Sequence, residues 1–445
     1  MDLSEAAQNV IAQARELGIA YIDLQFTDVT GIIKNVQIPV RQLEAAFRDG
    51  VWFDGSAIEG FARIAESDMY LRPDTATFAV LPWETHDHKL ARLICDVYTP
   101  TGEPYPGDPR GVLRRAVEMA QQKGYRYTVA PEVEFFLFRQ PINLASLETE
   151  DKASYYFDVN ASESRSIRRK IADALEAMGI LVQAGHHEVG GGQHELDLAP
   201  LDALPMADAI MTARLAVKSI AHENGLFATF MPKPIPRVAG SGMHIHQTLN
   251  DTYNGNNCFE NSEDDYGLSA IGRSFLAGQL THARGICAVL APLVNSYKRL
   301  VAGLEAPVYV TWAQLNRSAL IRVPRVSADH PDSARIELRC ADPSCNPYLA
   351  LAVMLRAGLD GVTRGLELPG AAEEELYLFN ARRRMLTTLP TSLYEALEAM
   401  EQSDLASDTL GLNVFERFIE AKRLEWNEYV LEISSWELDR YLTTY

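Results

Sequence analysis

The chain has 445 residues, and its 41 Lys and Arg against 60 Asp and Glu give a formal net charge of −19. This length exceeds one ordinary hydrophobic core and predicts two domains, or one large domain with an appendage. The acidic balance argues against a nucleic-acid-binding surface, which needs excess Lys and Arg. No stretch reaches the roughly 20 apolar residues that span a bilayer, and no signal-peptide pattern opens the chain. The five cysteines form no CxxC pair, which argues against a disulfide framework or thiolate zinc site. We therefore expect a cytoplasmic protein with no membrane or nucleic-acid partner.

The first hundred residues predict a small α+β unit. An amphipathic helix over residues 3–17 precedes a hairpin formed by strands 21–26 and 32–38. Further strand patterns follow, and a Pro- and Gly-rich segment, 99–107, then marks a domain boundary. We place the domains at residues 1–103 and 104–445. The remaining predicted elements are strands at 77–81, 92–97, 126–138, 179–185, 193–198, 226–231, 242–249, 319–323 and 334–340, and helices at 109–123, 165–178, 204–223, 264–284, 346–363, 391–401 and 414–431.

One strand carries two carboxylates that share a face. Glu132 and Glu134 stand at i and i+2 in a segment that continues into the apolar run 135–138. Carboxylates in such a core strand carry a large desolvation cost unless a cation compensates them. The alternative is an edge strand with a solvated acidic face. The apolar run favours the buried strand.

Three other segments add functional side chains of the same kinds. Carboxylate-dominated sets suit Mg²⁺ or Mn²⁺ better than Zn²⁺, and two or more such ions ordinarily gather phosphate oxygens in phosphoryl transfer. The alternatives are structural histidines and a surface salt-bridge ladder. The three sets are His244 with His246, Arg335 with Glu337 and Arg339, and Glu188 with Glu195.

Residues 298–339 are locally basic, with a net charge of +3 in a chain of −19. Planar guanidinium groups bind carboxylates and phosphates well, so this stretch predicts anion binding. Scattered surface arginines are the alternative interpretation.

These segments, in this order, resemble the glutamine synthetase family over nearly the whole chain. The resemblance implies an α+β fold in which a small N-terminal β-grasp-like domain precedes a large catalytic domain with a curved antiparallel sheet flanked by helices. It rests on nine strings in register: Phe53-Asp54-Gly55-Ser56, the Pro-Glu-Val-Glu-Phe of 131–135, His186-His187-Glu188-Val189, Gln193-His194-Glu195, Phe230-Met231-Pro232-Lys233-Pro234, Gly240-Ser241-Gly242-Met243-His244, Asn295-Ser296-Tyr297-Lys298-Arg299-Leu300, Asn316-Arg317-Ser318 and Asn346-Pro347-Tyr348-Leu349-Ala350.

The activity implied by this resemblance is ATP-dependent. The γ-carboxylate of glutamate is phosphorylated, and ammonia then displaces the phosphate to give glutamine. The family pattern assigns residues to two Mg²⁺ or Mn²⁺ ions and to the substrates. It assigns one ion to Glu134, Glu188 and Glu195, and the other to Glu132, His244 and Glu337. It assigns glutamate binding to Gly240, Arg299, Glu305, Arg317 and Arg339. Binding of the nucleotide and its phosphates is assigned to His246, Thr248, Arg317 and Arg322.

Further roles concern ammonium, assembly and regulation. In the family pattern Asp54 binds and deprotonates ammonium, and Glu305 closes over the intermediate on a mobile loop. Family members form a dodecamer of two hexameric rings, in which this aspartate reaches a neighbouring subunit's site. The chain is similar to the shorter, non-adenylylated form of the family (type I-alpha), whose feedback arginine matches Arg63.

Departures from the family pattern leave the amine open. Ala57 and Ala239 replace a usual serine and asparagine, and Ser154 and Tyr155 replace two usual glycines. All lie at the rim of the glutamate and amine sites. Ammonia is the expected acceptor, because Asp54 and Glu305 suit a compact cation that loses a proton. A polyamine or other small amine is the alternative, and a catalytically inactive relative is the third hypothesis.

Overall fold

A computed structural model of the chain describes residues 3–56, 58, 68–84, 88–142, 147–149, 151, 163–303, 306–326, 329–373 and 386–445. Within these residues no helix has both the length and the apolar character needed to cross a membrane.

The N-terminal part is a small sheet with two helices. Helix α1 begins after Ser4, whose side chain accepts a hydrogen bond from the backbone N–H of Ala7, and it buries Val10, Ile11 and Ala14 against the sheet. The strand order is β2-β1-β6-β4-β3, with β5 beside β6. Strands β1 and β6 are parallel and the other pairs antiparallel. The elements are α1 Glu5–Glu16, β1 Ile19–Thr27, β2 Ile33–Pro39, α2 Leu43–Asp49, β3 Val51–Asp54, β4 Asp68–Pro73, β5 Ala79–Val80 and β6 Lys89–Tyr98. The predicted helix and hairpin are confirmed, whereas β3 and β4 were not predicted.

The larger part contains a nine-stranded sheet with a long central strand, β7. The order is β13-β14-β15-β12-β7-β9-β8, and the short strands β10 and β11 also pair with β7. All pairs are antiparallel except β13 and β14, so the expected antiparallel sheet of the large part is confirmed, with one parallel pair at its edge that makes it mixed. The strands are β7 Tyr125–Arg139, β8 Val182–His187, β9 Gln193–Leu198, β10 Leu201–Asp202, β11 Leu226–Thr229, β12 Met243–Asp251, β13 Tyr309–Ala313, β14 Ala319–Arg322 and β15 Ile336–Leu338.

Helices pack around this sheet and against one another. Helices α6 and α8 approach so closely that a Cβ atom added to Gly361 would lie 2.0 Å from the carbonyl oxygen of Ser274. Glycine is required there because any side chain would separate the helices. The helices are α3 Pro109–Gln122, α4 Glu163–Ala177, α5 Ala203–Glu223, α6 Ala270–Leu290, α7 Ser296–Arg299, α8 Pro347–Arg364, α9 Leu393–Glu401, α10 Asp404–Val430 and α11 Ser435–Tyr441. Each part has its own buried apolar cluster, although Val29, Leu81 and Trp83 of the N-terminal part belong to the cluster of the larger part. The division at residue 103 stays a prediction.

A buried arginine joins the small sheet to the helices of the large part. Arg110, on α3, donates to Asp208 on α5 through Nε (3.0 Å) and Nη2 (2.9 Å). It also donates to Asp96 on β6 at 2.6 Å and to Asp74, beyond β4, at 2.8 Å. Only 4% of its side chain is exposed. One guanidinium therefore compensates three carboxylates contributed by both parts of the chain.

We expect Arg110→Ala to destabilise the protein by about 3–5 kcal/mol, because three largely buried carboxylates lose their common cation. Chemical unfolding followed by fluorescence measures this loss. Arg114→Ala is the matched control, since Arg114 also pairs with Asp96 but is 38% exposed. It should cost less than about 1 kcal/mol. Equal losses in the two variants would contradict the role given to Arg110.

Candidate active site

The centre of the candidate site is one face of β7. Glu132 and Glu134 point to this face, while Val133 and Phe135 point into the apolar core on the other. Strand β12 places His244 opposite Glu132, and β9 places Glu195 opposite Glu134. The expected alternation of side chains along β7 is therefore present, and the neighbouring strands bring further candidate ligands to the same face.

The first group of potential ligands, called here the Glu132 cluster, consists of Glu132, His244 and Glu337. One ligand atom of each lies within 4.8 Å of the others. His244 Nδ1 is 2.9 Å from Glu132 Oε2 and 3.7 Å from Glu337 Oε1. These are the three residues that the family pattern assigns to one metal ion, and the structure brings them together.

The second group, the Glu195 cluster, consists of His186, Glu188 and Glu195. His186 Nδ1 lies 3.4 Å from Glu188 Oε1, and its Nε2 lies 3.1 Å from Glu195 Oε1. Glu188 and Glu195 were predicted ligands, whereas His186 was not. Glu134, the third predicted ligand, lies beside this cluster and accepts a hydrogen bond from Gln193. The position of His186 follows from the antiparallel pairing of β8 with β9, which sets it opposite Glu195.

The carboxylates around the Glu195 cluster lack sufficient positive charge. Burial and the nearby charge of Glu188 raise the pKa of Glu134 to about 8. Burial and the charge of Glu134 also raise the pKa of Glu195 well above its ordinary value. A divalent cation would relieve both effects. The donor set of carboxylate oxygens and one imidazole fits Mg²⁺ or Mn²⁺.

The Glu132 cluster is compensated by neighbouring cations instead. Burial opposes ionisation of Glu132, but hydrogen bonds from His244 and His246 outweigh it and lower the pKa of that carboxyl. Burial likewise opposes ionisation of Glu337, and its pKa still falls to about 2 because Arg339 lies against it. Arg339 Nη1 and Arg322 Nε each lie 2.5 Å from a Glu337 oxygen. Two predicted anion-binding arginines thus contact Glu337, a predicted metal ligand.

Arg299 lies beneath the loop that contains Gly240. It is 3% exposed and donates to the carbonyl oxygens of Arg339, Cys340 and Ala341 at 3.1–3.2 Å. A Cβ atom added to Gly242 would lie 2.4 Å from Arg299 Nη2. The small loop residues therefore permit a close approach between this guanidinium and the predicted glutamate site.

A cavity of about 480 Å³ opens beside the Glu132 cluster. It includes His246 and Thr248, the predicted nucleotide residues, and Thr248 is fixed by a 2.8 Å hydrogen bond to Asn257. The lining also includes Arg335, which was predicted to share a face with Glu337. Gln183, Asp197 and Asn257 line the cavity as well and were not predicted as site residues.

A third group of potential ligands already contains a cation. Asp151, His187 and His194 have ligand atoms within 4.8 Å of one another, but Arg168 Nη1 lies 2.6 Å from His194 Nδ1. Asp151 Oδ1 accepts from His187 Nε2 and from the backbone N–H of Gly192. These contacts hold the turn that follows Glu188.

Comparison with known proteins identifies the family. The family model described as "Glutamine synthetase, catalytic domain" matches residues 106–441, and "Glutamine synthetase, beta-Grasp domain" matches residues 18–100. The chain belongs to the glutamine synthetase family. It is 47% identical to the glutamine synthetase of Clostridium saccharobutylicum, over 98% of this chain and 99% of that protein. It is also 47% identical to that of Thermus thermophilus, over 96% of each. A solved structure titled "GmaS/ADP complex" is 31% identical with a TM-score of 0.89, covering 98% of this chain and 99% of the other.

Not every residue assigned from the family pattern lies at these clusters. Asp54 is exposed on β3 of the β-grasp sheet, where hydrogen bonds from Ser56 lower its pKa. Arg317 is exposed in the segment between β13 and β14. Glu305, Arg63 and Ala57 lie outside the described residues, as do Ser154 and Tyr155. The roles of all these residues in this glutamine synthetase family member stay predictions.

We expect Glu337→Ala to weaken Mn²⁺ binding by at least about tenfold. Removing a residue that only supports a metal ligand typically costs about 10–100-fold in affinity, and removing the ligand itself should cost no less. The substitution removes a ligand and leaves Arg322 and Arg339 as uncompensated cations beside the ion. Titration calorimetry on the metal-free enzyme measures the affinity.

The matched control is Asp360→Ala, which removes a carboxylate held by His282 and Arg364 on helices α6 and α8. That variant should bind Mn²⁺ as the wild type does. Unchanged affinity in Glu337→Ala would exclude Glu337 as a ligand.

Proposed function

We propose that the protein ligates ammonia to the γ-carboxylate of L-glutamate with ATP, through γ-glutamyl phosphate, giving glutamine, ADP and phosphate. The single observation that carries this proposal is the pair of ligand clusters on one face of the central sheet, with arginines at their edge. Such an arrangement gathers several anionic groups, as joining a carboxylate to a phosphate requires. The names of the 47% identical relatives support the same activity.

The proposed ions are Mg²⁺ or Mn²⁺, held by Glu132, His244 and Glu337 and by the Glu195 cluster with Glu134. When bound, they neutralise phosphate charge and orient the transferring group. The chain's own residues set the frame for this chemistry. Strands β7, β9, β12 and β15 fix the ligands by main-chain pairing, so the site is organised before substrates bind.

The arginines bind and orient the substrates in this proposal. Arg299 and Arg339, together with the Gly240 loop, contact glutamate, and Arg317 and Arg322 contact phosphate oxygens. His246 and Thr248 line the cavity that takes ATP. The solved ADP complex of a 31% identical protein supports a nucleotide site in this fold. Because Arg322 and Arg339 already lie against Glu337, their orientation is fixed by the same carboxylate that serves as a metal ligand.

Two carboxylates complete the proposed reaction. Asp54 binds ammonium and takes a proton from it, and Glu305 closes over γ-glutamyl phosphate to exclude water. Asp54 is exposed on the β-grasp sheet. We therefore propose that it serves the site of a neighbouring subunit in a dodecamer of two hexameric rings. Arg63 is proposed as the feedback-regulatory residue.

A second candidate is ligation of another small amine to glutamate. Ala239 favours this candidate, because it adjoins Gly240 and lacks the amide side chain that the family pattern has there. The metal and phosphate residues are common to both candidates, so only the nucleophile distinguishes them.

We expect phosphate release from ATP and glutamate to depend on ammonium, and to be much slower with methylamine or putrescine at equal concentration. A phosphate-release assay with product identification by mass spectrometry measures this preference. Reactions without glutamate are the control for ATP hydrolysis. Turnover with putrescine or methylamine but not ammonium would favour the second candidate, and no turnover with any amine would favour an inactive relative.

We expect Asp54→Ala and Glu337→Ala chains to complement each other when co-expressed. Each variant alone should lose glutamine formation. In mixed oligomers some shared sites combine an intact Asp54 from one chain with an intact Glu337 from its neighbour. Activity of the purified mixed oligomer measures complementation, and the two variants mixed after separate assembly are the control. If mixed oligomers stay inactive, Asp54 does not act across a subunit boundary.

A further inference from the structure

Gln193 is a buried amide between the metal-ligand carboxylates and the loop at the predicted glutamate site. It is the first residue of β9 and is 1% exposed. The family resemblance gave it no role. Its surroundings are nevertheless specific, because every polar atom of its side chain is used.

The amide makes three contacts with three separate segments. Nε2 donates to Glu134 Oε2 at 2.8 Å and to the carbonyl oxygen of Gly240 at 3.3 Å. Oε1 accepts from the backbone N–H of Gly190 at 3.0 Å. These partners fix the orientation of the amide, since a flipped group would set its oxygen against two acceptors and its NH₂ against a donor.

The backbone of Gln193 also closes the turn that follows Glu188. Its N–H donates to the carbonyl oxygen of Gly190 at 2.9 Å, and its carbonyl accepts from the N–H of Glu188 at 2.8 Å. A Cβ atom added to Gly190 would lie 2.8 Å from Gln193 Oε1. The turn is therefore packed directly on the amide, and Glu188 is tied to the same residue as Glu134.

We propose that Gln193 is a positioning residue that couples the metal ligands to glutamate binding. By holding Glu134 Oε2, it fixes the orientation of the carboxylate that lies across from Glu195. By holding the Gly240 carbonyl, it fixes the loop that covers Arg299. An amide suits this position because it donates without adding charge among buried carboxylates. The glutamate part of this inference rests on the proposed function, whereas the metal part does not.

The test is Gln193→Met, which keeps the side-chain length and removes all three hydrogen bonds. We expect Mn²⁺ affinity of the metal-free enzyme to fall about 10–100-fold, as for other outer partners of metal ligands. We also expect the KM for glutamate to rise about tenfold by the same reasoning, with the KM for ATP nearly unchanged. Calorimetry gives the first quantity without substrates. Steady-state assays with the amine that supports turnover give the others.

The matched control is Gln247→Met. Gln247 is also a 1% exposed glutamine in the same sheet, but its amide bonds Gln279 and Tyr127 in the core. This variant should lower thermal stability and leave Mn²⁺ affinity and the KM for glutamate unchanged. Should Gln193→Met fail to fold, Gln193→Asn keeps the amide but is too short to span Glu134 and Gly190, and the same losses are expected.

If the Gln193 and Gln247 variants changed the Mn²⁺ affinity and the KM values for glutamate and ATP to the same extent, Gln193 would have only a structural role. That result would overturn the proposal. Wild-type affinity for Mn²⁺ in Gln193→Met would overturn it as well. If no amine supports turnover, the proposed function fails, but the calorimetric result still decides whether Gln193 positions the metal ligands.

Discussion

The central constraint of the structure is the repulsion among three carboxylates, which the positive charges of the chain do not offset. Glu134, Glu188 and Glu195 are held near one another by β7, β9 and the turn between β8 and β9, and burial denies them the solvation that would make this tolerable. Charged carboxylates in such surroundings either bind a proton or bind a cation. The raised pKa values of Glu134 and Glu195 show the first outcome in the metal-free chain. A bound cation would be the other way to satisfy this electrostatic constraint, and the sheet holds the carboxylates close enough together for one.

The two clusters meet this constraint differently. In the Glu132 cluster, hydrogen bonds from His244 and His246 and the charge of Arg339 already stabilise the carboxylates, and the pKa values of Glu132 and Glu337 are low. A divalent ion entering there must compete with Arg322 and Arg339, while an ion at the Glu195 cluster meets excess negative charge. We therefore expect the Glu195 cluster to bind its ion more tightly. An anionic substrate that drew Arg322 and Arg339 away from Glu337 would strengthen cation binding at the Glu132 cluster.

Sequence periodicity predicted the parts of the site that lie within single strands. Glu132 with Glu134, and His244 with His246, share faces because side chains alternate along a strand. The resemblance then assigned the ligand sets, and the structure assembles one of them as expected. Periodicity carries no information on cross-strand register, which brings His186 to Glu195 and the Gln193 amide to Glu134. It also carries none on the contact of Arg110 with Asp208, 98 residues away. Strand β13 was not predicted, so its parallel pairing with β14 was not expected either.

The candidate ligands are distant along the chain and are brought together by strand pairing. The candidate ligands come from five strands and one turn, and each is held by main-chain pairing or by a buried polar contact rather than by its own neighbours in sequence. The same sheet packs against helices α3 and α5, and the hydrogen bonds of Arg110 connect these helices to the β-grasp domain. Because Asp54 lies on that domain, the hydrogen bonds of Arg110 also help to fix its position relative to the large sheet. Loss of Arg110 is therefore expected to disturb the placement of Asp54, the residue proposed to bind ammonium, as well as stability.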